Sequence, residues 1–433
     1  MRIIGKTAAE IFDSVRLLTQ SGSLKPGQAL PPVRDLAVAL EVNHNTVAAA
    51  YKRLVTTGIA LAQGRLGTVI REPTVLGEQE GTAFDTSLAD VASGNPNPAW
   101  LPDITTAFAR ASYRPRLYGE PTVASELAAY ARQWFAGDCP ATDEIELTWG
   151  AVDAIERLLA AHLVAGDRVV VEDPCFLSSI NTLRTSGLQV LGVAVDAEGM
   201  RADALEEALC AGAQAVILTP RAHNPTGCSL SAQRAQSIRA VLERYPHRLV
   251  IADDHFALLS VGDYHSPIPV STQRWALVRS VSKALGPDLR MAFVASDPQT
   301  ASGLRLRLAS GTTWVSHVLQ GIVQACLFDA GFGARLTQAR EDYARRRDWI
   351  VSALTDQGLA TAGPADGLNV WLPLERESQP VVFALAQRGW LVRSGDGFRV
   401  RAMAHGLRLT ISNLEKVQAM RLAADIRASL GRG

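Results

Sequence analysis

From Leu88 onward the sequence alternates short apolar, β-rich runs with helical stretches, and no other feature restricts the fold as much. The runs are Arg168–Val171, Leu188–Val195, Ala215–Thr219, Leu249–Ala252, Ala276–Val281 and Met291–Ala295. Runs without a polar face, separated by helices, predict an α/β architecture with a mostly parallel sheet covered by helices. A long helix around 334–354 is expected to lead into a smaller C-terminal α/β subdomain. At 433 residues the chain is too long for one ordinary domain, and 47% apolar with 20% charged residues describes a globular chain.

The first 72 residues follow a different pattern. Ala8, Ile11, Phe12 and Val15 recur at helical spacing until Gly22 and Pro26-Gly27 stop them. Pro31-Pro32 opens a second helix with Val33, Leu36, Ala37 and Leu40 on its apolar face. A third follows Asn43, burying Val47, Ala50, Tyr51, Leu54 and Val55 and presenting His44, Asn45, Lys52, Arg53 and Thr56. Ile59–Ala62 and Thr68–Ile70 then read as two short strands around a glycine turn with Arg65 at its tip. Three helices and a hairpin make a winged helix-turn-helix, whose third helix can enter a major groove while the wing reaches phosphates or the minor groove. Asn43 and Asn45 flank the start of that helix, where free backbone N–H groups favour phosphate oxygens. By residue pattern alone, a small helical domain with a solvated polar face fits equally well.

Charge gives modest support to the nucleic-acid reading. The whole chain is balanced, but residues 1–72 hold nine Lys/Arg against five Asp/Glu, and the remainder 34 against 38. Five scattered cysteines without a Cys-x-x-Cys pair argue against a disulfide framework or a metal site and for a reducing compartment. No signal peptide or membrane-spanning run is read, so a soluble cytoplasmic protein is expected. Residues 73–85 contain Pro73, Gly77 and Gly81 without periodicity and read as a short linker, dividing the chain into 1–72, 73–85 and 86–433.

Within the larger part, chemistry concentrates on Lys283. It follows the apolar run Ala276-Leu277-Val278, and a lysine at the mouth of a buried strand loses solvation, which frees its amine as a nucleophile. Ser280, Ser282 and Arg290 lie beside it in sequence. A Schiff-base lysine near hydroxyls and a guanidinium is what pyridoxal 5'-phosphate requires. Taken alone, the tetrapeptide is an ordinary surface lysine at a strand end. Its company elsewhere changes that.

The stretch Lys25 to Ala37, then Asn45-Thr46-Val47, Tyr51-Lys52-Arg53-Leu54 and Gly58, resembles the signature of GntR-type regulators. The resemblance makes Arg34, Asn45, Thr46, Arg65 and Gly67 candidates for contact with double-stranded promoter DNA.

The larger part resembles the fold-type I aminotransferases, which are pyridoxal phosphate enzymes. Gly150-Ala151-Val152 would hold the phosphate with backbone amides, and Phe176 in Asp173-Pro174-Cys175-Phe176 matches the aromatic that stacks on the cofactor ring. Asn224 in Asn224-Pro225-Thr226-Gly227 matches the asparagine that meets the phenolic oxygen. Asp253 in Asp253-Asp254-His255 matches the partner of the pyridine nitrogen, and Lys283 follows it by 30 residues. Ser280, Ser282 and Arg290 would complete the phosphate cup. Tyr118 resembles a tyrosine supplied by the neighbouring subunit, implying a homodimer, and Arg408 matches the arginine that grips a substrate carboxylate. His255 stands where the family usually has tyrosine, and Val123 and Ala128 where it often has Gly and Arg. These departures bear on transamination more than on cofactor binding.

A GntR-like head fused to an aminotransferase-like body is the architecture of the MocR regulators. The short linker and the segment from Asn45 to Val55 resemble the branch associated with vitamin B6 metabolism. The resemblance implies a homodimeric transcription regulator that holds pyridoxal phosphate on Lys283 and responds to it or to an amine or amino-acid effector. The alternatives are a working aminotransferase with a DNA-binding head, and an architectural DNA protein whose body serves only to dimerise.

Overall fold

The computed structural model describes residues 2–63, 67–71, 79–81, 86–363, 365–401 and 405–431. Two compact units emerge: Met1–Gly77 with Val164–Asp167 and Arg184–Gln189, and the rest of the chain.

In the first unit, α1 (Ala8–Gln20), α2 (Val33–Leu40) and α3 (His44–Thr56) precede an antiparallel pair, β1 (Ala60–Ala62) and β2 (Thr68–Ile70). Thr7 caps α1 through the Glu10 N–H, and Pro32 is the N-cap residue of α2, its carbonyl accepting from Leu36 N–H. Ile11, Phe12, Val15, Val47, Tyr51, Leu54 and Ile70 form one apolar core. Burying each large side chain contributes about 1.5–3 kcal/mol. Val55, expected in that core, is exposed, because it falls at the edge of the stripe defined by Val47, Ala50, Tyr51 and Leu54. Gly67 closes the hairpin with a φ of +75°, a conformation costly for other residues, while its carbonyl accepts from Gln63 N–H. The expected wing arginine, Arg65, lies outside the described residues.

The second unit begins with β3 (Ala89–Val91) and continues into β4 (Ile145–Thr148), β5 (Arg168–Asp173), β6 (Gln189–Asp196), β7 (Gly199–Met200), β8 (Ala215–Leu218), β9 (Leu249–Asp253), β10 (Arg274–Ser280) and β11 (Ala292–Ser296). Eight of these nine form one sheet in the order β4-β11-β10-β9-β8-β5-β6-β7. Its centre, β10-β9-β8-β5, is parallel, while β11 runs antiparallel to both neighbours. Every residue of β8, β9 and β11 is buried, which explains why their sequences lack a polar face. The helices Ala151–His162 and Pro298–Ala309 pack on each other and against β10 and β11.

A second sheet joins β12 (Asn369–Leu374), β14 (His405–Thr410), β13 (Trp390–Ser394) and β3 in that order, so the body's first strand completes its C-terminal sheet. The expected long helix spans Phe332–Asp356 and leads into this subdomain. Among the described residues no helix is long and apolar enough to cross a membrane.

Candidate functional site

Parallel pairing of β9 and β10 sets Asp253 opposite Val278 and brings the ends of both strands to one rim. In an open α/β sheet such strand ends are where ligands bind. The two adjacent aspartates leave β9 with opposite fates. Asp254 is fully buried and accepts from Arg221 Nε at 3.0 Å and Nη2 at 2.7 Å, and from Arg279 Nε at 2.9 Å. Arg279 also donates to Asp138 at 2.5 Å and to the Trp134 carbonyl. Asp253 instead lines a cleft of about 350 Å³. Its Oδ1 is buried without a hydrogen-bond partner among the described residues, and its Oδ2 stands 3.6 Å from His255 Nδ1.

The cleft gathers most of the expected cofactor residues: Ala151, Val152, Phe176, Asn224, Asp253, His255, Ser280, Ser282, Lys283 and Arg290 all line it. Lys283 follows the end of β10 in a single helical turn, Ser282–Leu285, and its Nζ donates to the Gly94 carbonyl at 2.7 Å. Burial pulls its pKa down to about 8 despite the opposing Glu80 carboxylate, and the cations Arg408 and Arg290 act in the same direction as burial. Ser280 Oγ lies 3.2 Å from Ser282 Oγ and accepts from Ser282 N–H. Gly150 precedes the helix Ala151–His162 with a φ of +96°, and a Cβ there would come within 2.9 Å of Arg290 Nη2. Only glycine lets the guanidinium lie against this helix start.

Arg408 is fully buried on β14, over the Phe398 ring at 5.1 Å from its centroid. Its Nη1 donates to Glu80 Oε1 at 2.7 Å and to Asn224 Oδ1 at 3.0 Å, and Asn224 Nδ2 donates to the same Glu80 oxygen at 3.2 Å. Burial alone would raise the pKa of Glu80, but Arg408 more than offsets this and keeps it lowered. Tyr118 does not join the cleft; it is 90% exposed and packs edge-on against Trp314 at 5.6 Å.

Sequence reasoning missed Glu80, Gly94 and a buried pair beneath Asn224. His223 Nε2 lies 3.3 Å from Glu172 Oε2; burial would lower the His223 pKa, yet the carboxylate raises it to about 10. Glu80 falls inside the segment read as a short linker, of which residues 79–81 are described. Gln79 and Glu80 are anchored, through Arg393 to the Gln79 carbonyl and through Arg408 and Asn224 to the Glu80 carboxylate.

Two features match the needs of pyridoxal phosphate. The orphaned Asp253 Oδ1 is an acceptor awaiting a ring N–H. The junction of the Gly150 helix start with Arg290, Ser280 and Ser282 offers donors for a phosphate. Lys283 supplies the amine in the same cleft.

In the first unit, His44, Asn45, Lys52, Arg53 and Thr56 of α3 are exposed together, and Arg34 is exposed on α2. Thr46, next to Asn45 in the first turn of α3, is half-buried. Asn43 is exposed at the start of α3, and its Oδ1 caps the helix by accepting from Asn45 N–H at 2.8 Å. Arg53 is partly engaged in its own unit, with its guanidinium 4.2 Å from the centre of the Phe12 ring.

Comparison with known proteins supplies an independent view. Residues 87–426 match the family described as aminotransferase class I and II, and residues 7–70 match the bacterial regulatory proteins of the gntR family. The vitamin B6 salvage pathway transcriptional repressor PtsJ of Salmonella typhimurium is 54% identical over 99% of this chain and the whole of that protein. The probable rhizopine catabolism regulatory protein MocR of Rhizobium meliloti is 23% identical over 85% of this chain and 86% of its own. Among solved structures, LysN, an α-aminoadipate aminotransferase from Thermus thermophilus, superposes with a TM-score of 0.70 at 22% identity, covering 80% of this chain and 92% of that one. That likeness shows the fold.

Proposed function

Because the chain belongs to the MocR-type regulators, a gntR-family head joined to an aminotransferase class I and II body, we propose that it is a homodimeric, cytoplasmic repressor of vitamin B6 salvage genes that senses pyridoxal phosphate. The observation that carries the sensing part is the meeting of Lys283, the unpartnered Asp253 Oδ1 and Arg290 in one cleft. The vitamin B6 part rests on the likeness to PtsJ.

When bound, pyridoxal phosphate supplies an aldehyde for a lysine amine and a ring able to hold electrons. The chain's residues then divide the work. Lys283 offers the amine, Asp253 receives the ring N–H, and Phe176 covers the ring. The N–H groups of Ala151 and Val152, the hydroxyls of Ser280 and Ser282, and Arg290 hold the phosphate. Arg408 and Asn224 offer donors to a carboxylate. The exposed Tyr118, with Leu117, Tyr113 and Phe108 also exposed, supports pairing of two copies. Two heads would then read paired half-sites through α3 and the wing. Segments 1–72, 73–85 and 86–433 are proposed as head, connector and body.

Titration of a promoter fragment from the protein's own gene neighbourhood, with and without pyridoxal phosphate, tests the reading. DNA affinity should change with the cofactor by about 5-fold or more, the usual lower range of allosteric coupling. Identical affinities would leave a DNA-binding dimer without sensing. Steady turnover of an amino donor with a keto acid would instead favour a working aminotransferase with a DNA-binding head.

Two further results are expected. Arg34→Ala should weaken binding to all DNA sequences alike and reduce the slope of log affinity against log salt by about one, as loss of one phosphate contact does. Stopped-flow absorbance should show the cofactor reacting with the protein at a rate that rises with pH and levels near pH 8. Below that value Lys283 is increasingly protonated, so the reactive fraction falls about tenfold per pH unit.

A further inference from the structure

The Arg408–Asn224 site holds a carboxylate that belongs to the chain itself. Arg408 Nη1 and Asn224 Nδ2 converge on one oxygen of Glu80 at 2.7 Å and 3.2 Å. The other Glu80 oxygen lies where a Cβ on Gly94 would meet it at 3.2 Å, and the Gly94 carbonyl accepts from Lys283. A fully buried guanidinium, an amide N–H and a nearby amine are what a small amino or oxo acid would need for its carboxylate and its reacting end. Glu80 is therefore placed as such an acid would be.

Its hold is incomplete. Arg408 Nη2 is spent on the Ala92 carbonyl at 2.5 Å, and Arg408 Nε has no hydrogen-bond partner among the described residues. The Glu80 side chain keeps about a fifth of its surface exposed. Glu80 also lies only ten residues past Ile70, where β2 of the head ends. A ligand that removes Glu80 from Arg408 thus frees the connector at one of its two described anchors, the other being the Gln79 carbonyl at Arg393.

Resting on the cleft being the ligand site argued above, we infer that Glu80 is a built-in competitor: its carboxylate occupies the Arg408–Asn224 site, and a carboxylate-bearing amino or oxo acid enters only by displacing it and thereby releasing the connector. The inference requires no bond to form or break. It makes connector and ligand mutually exclusive at one guanidinium, so binding energy at the site is transmitted toward the head.

The test uses full-length, cofactor-free protein and maleate, a dicarboxylate with neither an amine nor a keto or aldehyde group. Calorimetric titration should show maleate binding at least about tenfold tighter to Glu80→Gln and Glu80→Ala than to wild type, the scale of one lost charge-assisted hydrogen bond. Adding Arg408→Gln to either variant should remove the gain. In wild-type protein, where folding is not in question, saturating maleate should speed amide hydrogen exchange in a peptide covering Gln79–Gly81. Equal maleate affinity in wild type and both Glu80 variants, a gain that survives Arg408→Gln, or unchanged exchange at Gln79–Gly81 would each overturn the inference. The function proposed above fails on another readout, DNA affinity unmoved by pyridoxal phosphate, which plays no part in this titration.

Discussion

Lys283→Ala is expected to abolish the protein-bound visible absorbance that wild-type protein keeps after incubation with pyridoxal phosphate and gel filtration. The amine at this position is half-buried, hydrogen-bonded to the Gly94 carbonyl and held at a pKa of about 8, so part of it is neutral and nucleophilic at physiological pH. Alanine removes that amine and leaves the donors around Arg290 and the Asp253 carboxylate in place. Residual affinity should be reversible and non-covalent, read by equilibrium dialysis, and the cofactor's effect on DNA binding should disappear with the band. A band of wild-type intensity in the variant would move the attachment point elsewhere and remove the premise of a sensor built on β10.

Asp254→Ala should lower the stability of the body by about 3–5 kcal/mol, the effect of removing one member of a buried charge network. The carboxylate is completely buried and satisfies Arg221 twice and Arg279 once. Both arginines are themselves buried, and their remaining contacts cannot neutralise two guanidinium groups. A urea titration should show the midpoint of the body's transition falling with little change in slope. The neighbouring Asp253→Ala offers the contrast. Its Oδ1 has no hydrogen-bond partner among the described residues, so stability should stay within about 1 kcal/mol while cofactor retention is lost. Equal destabilisation by the two substitutions would contradict the division of labour described for this pair.

The same pair shows how far the sequence could be read. Strands β8, β9 and β11 were legible because burial on both faces makes each a continuous apolar run. The end of β9 therefore announced two aspartates at a strand mouth. Which one faces the cleft depends on arginines 33 and 25 residues away, and local sequence carries no trace of that choice. The short β3 was not legible, since Ala-Asp-Val has one buried residue and gains its place only by pairing with β13. Glu80 was hidden for the same reason. A glutamate between glycines reads as solvated connector, and its partner Arg408 lies 328 residues further along. Tyr118 matched a motif expected to reach a second subunit, and in this chain it is exposed.

The pairing of Ala89 with Trp390 also sets a timetable for the newly made protein. The head has its own apolar core and leaves the ribosome ahead of the body, so it can fold while the body is still being translated. The small C-terminal sheet must wait, because its edge strand is made some 300 residues before the strand it joins. For the interval between, the head can be finished while the body still lacks the strand that completes its second sheet.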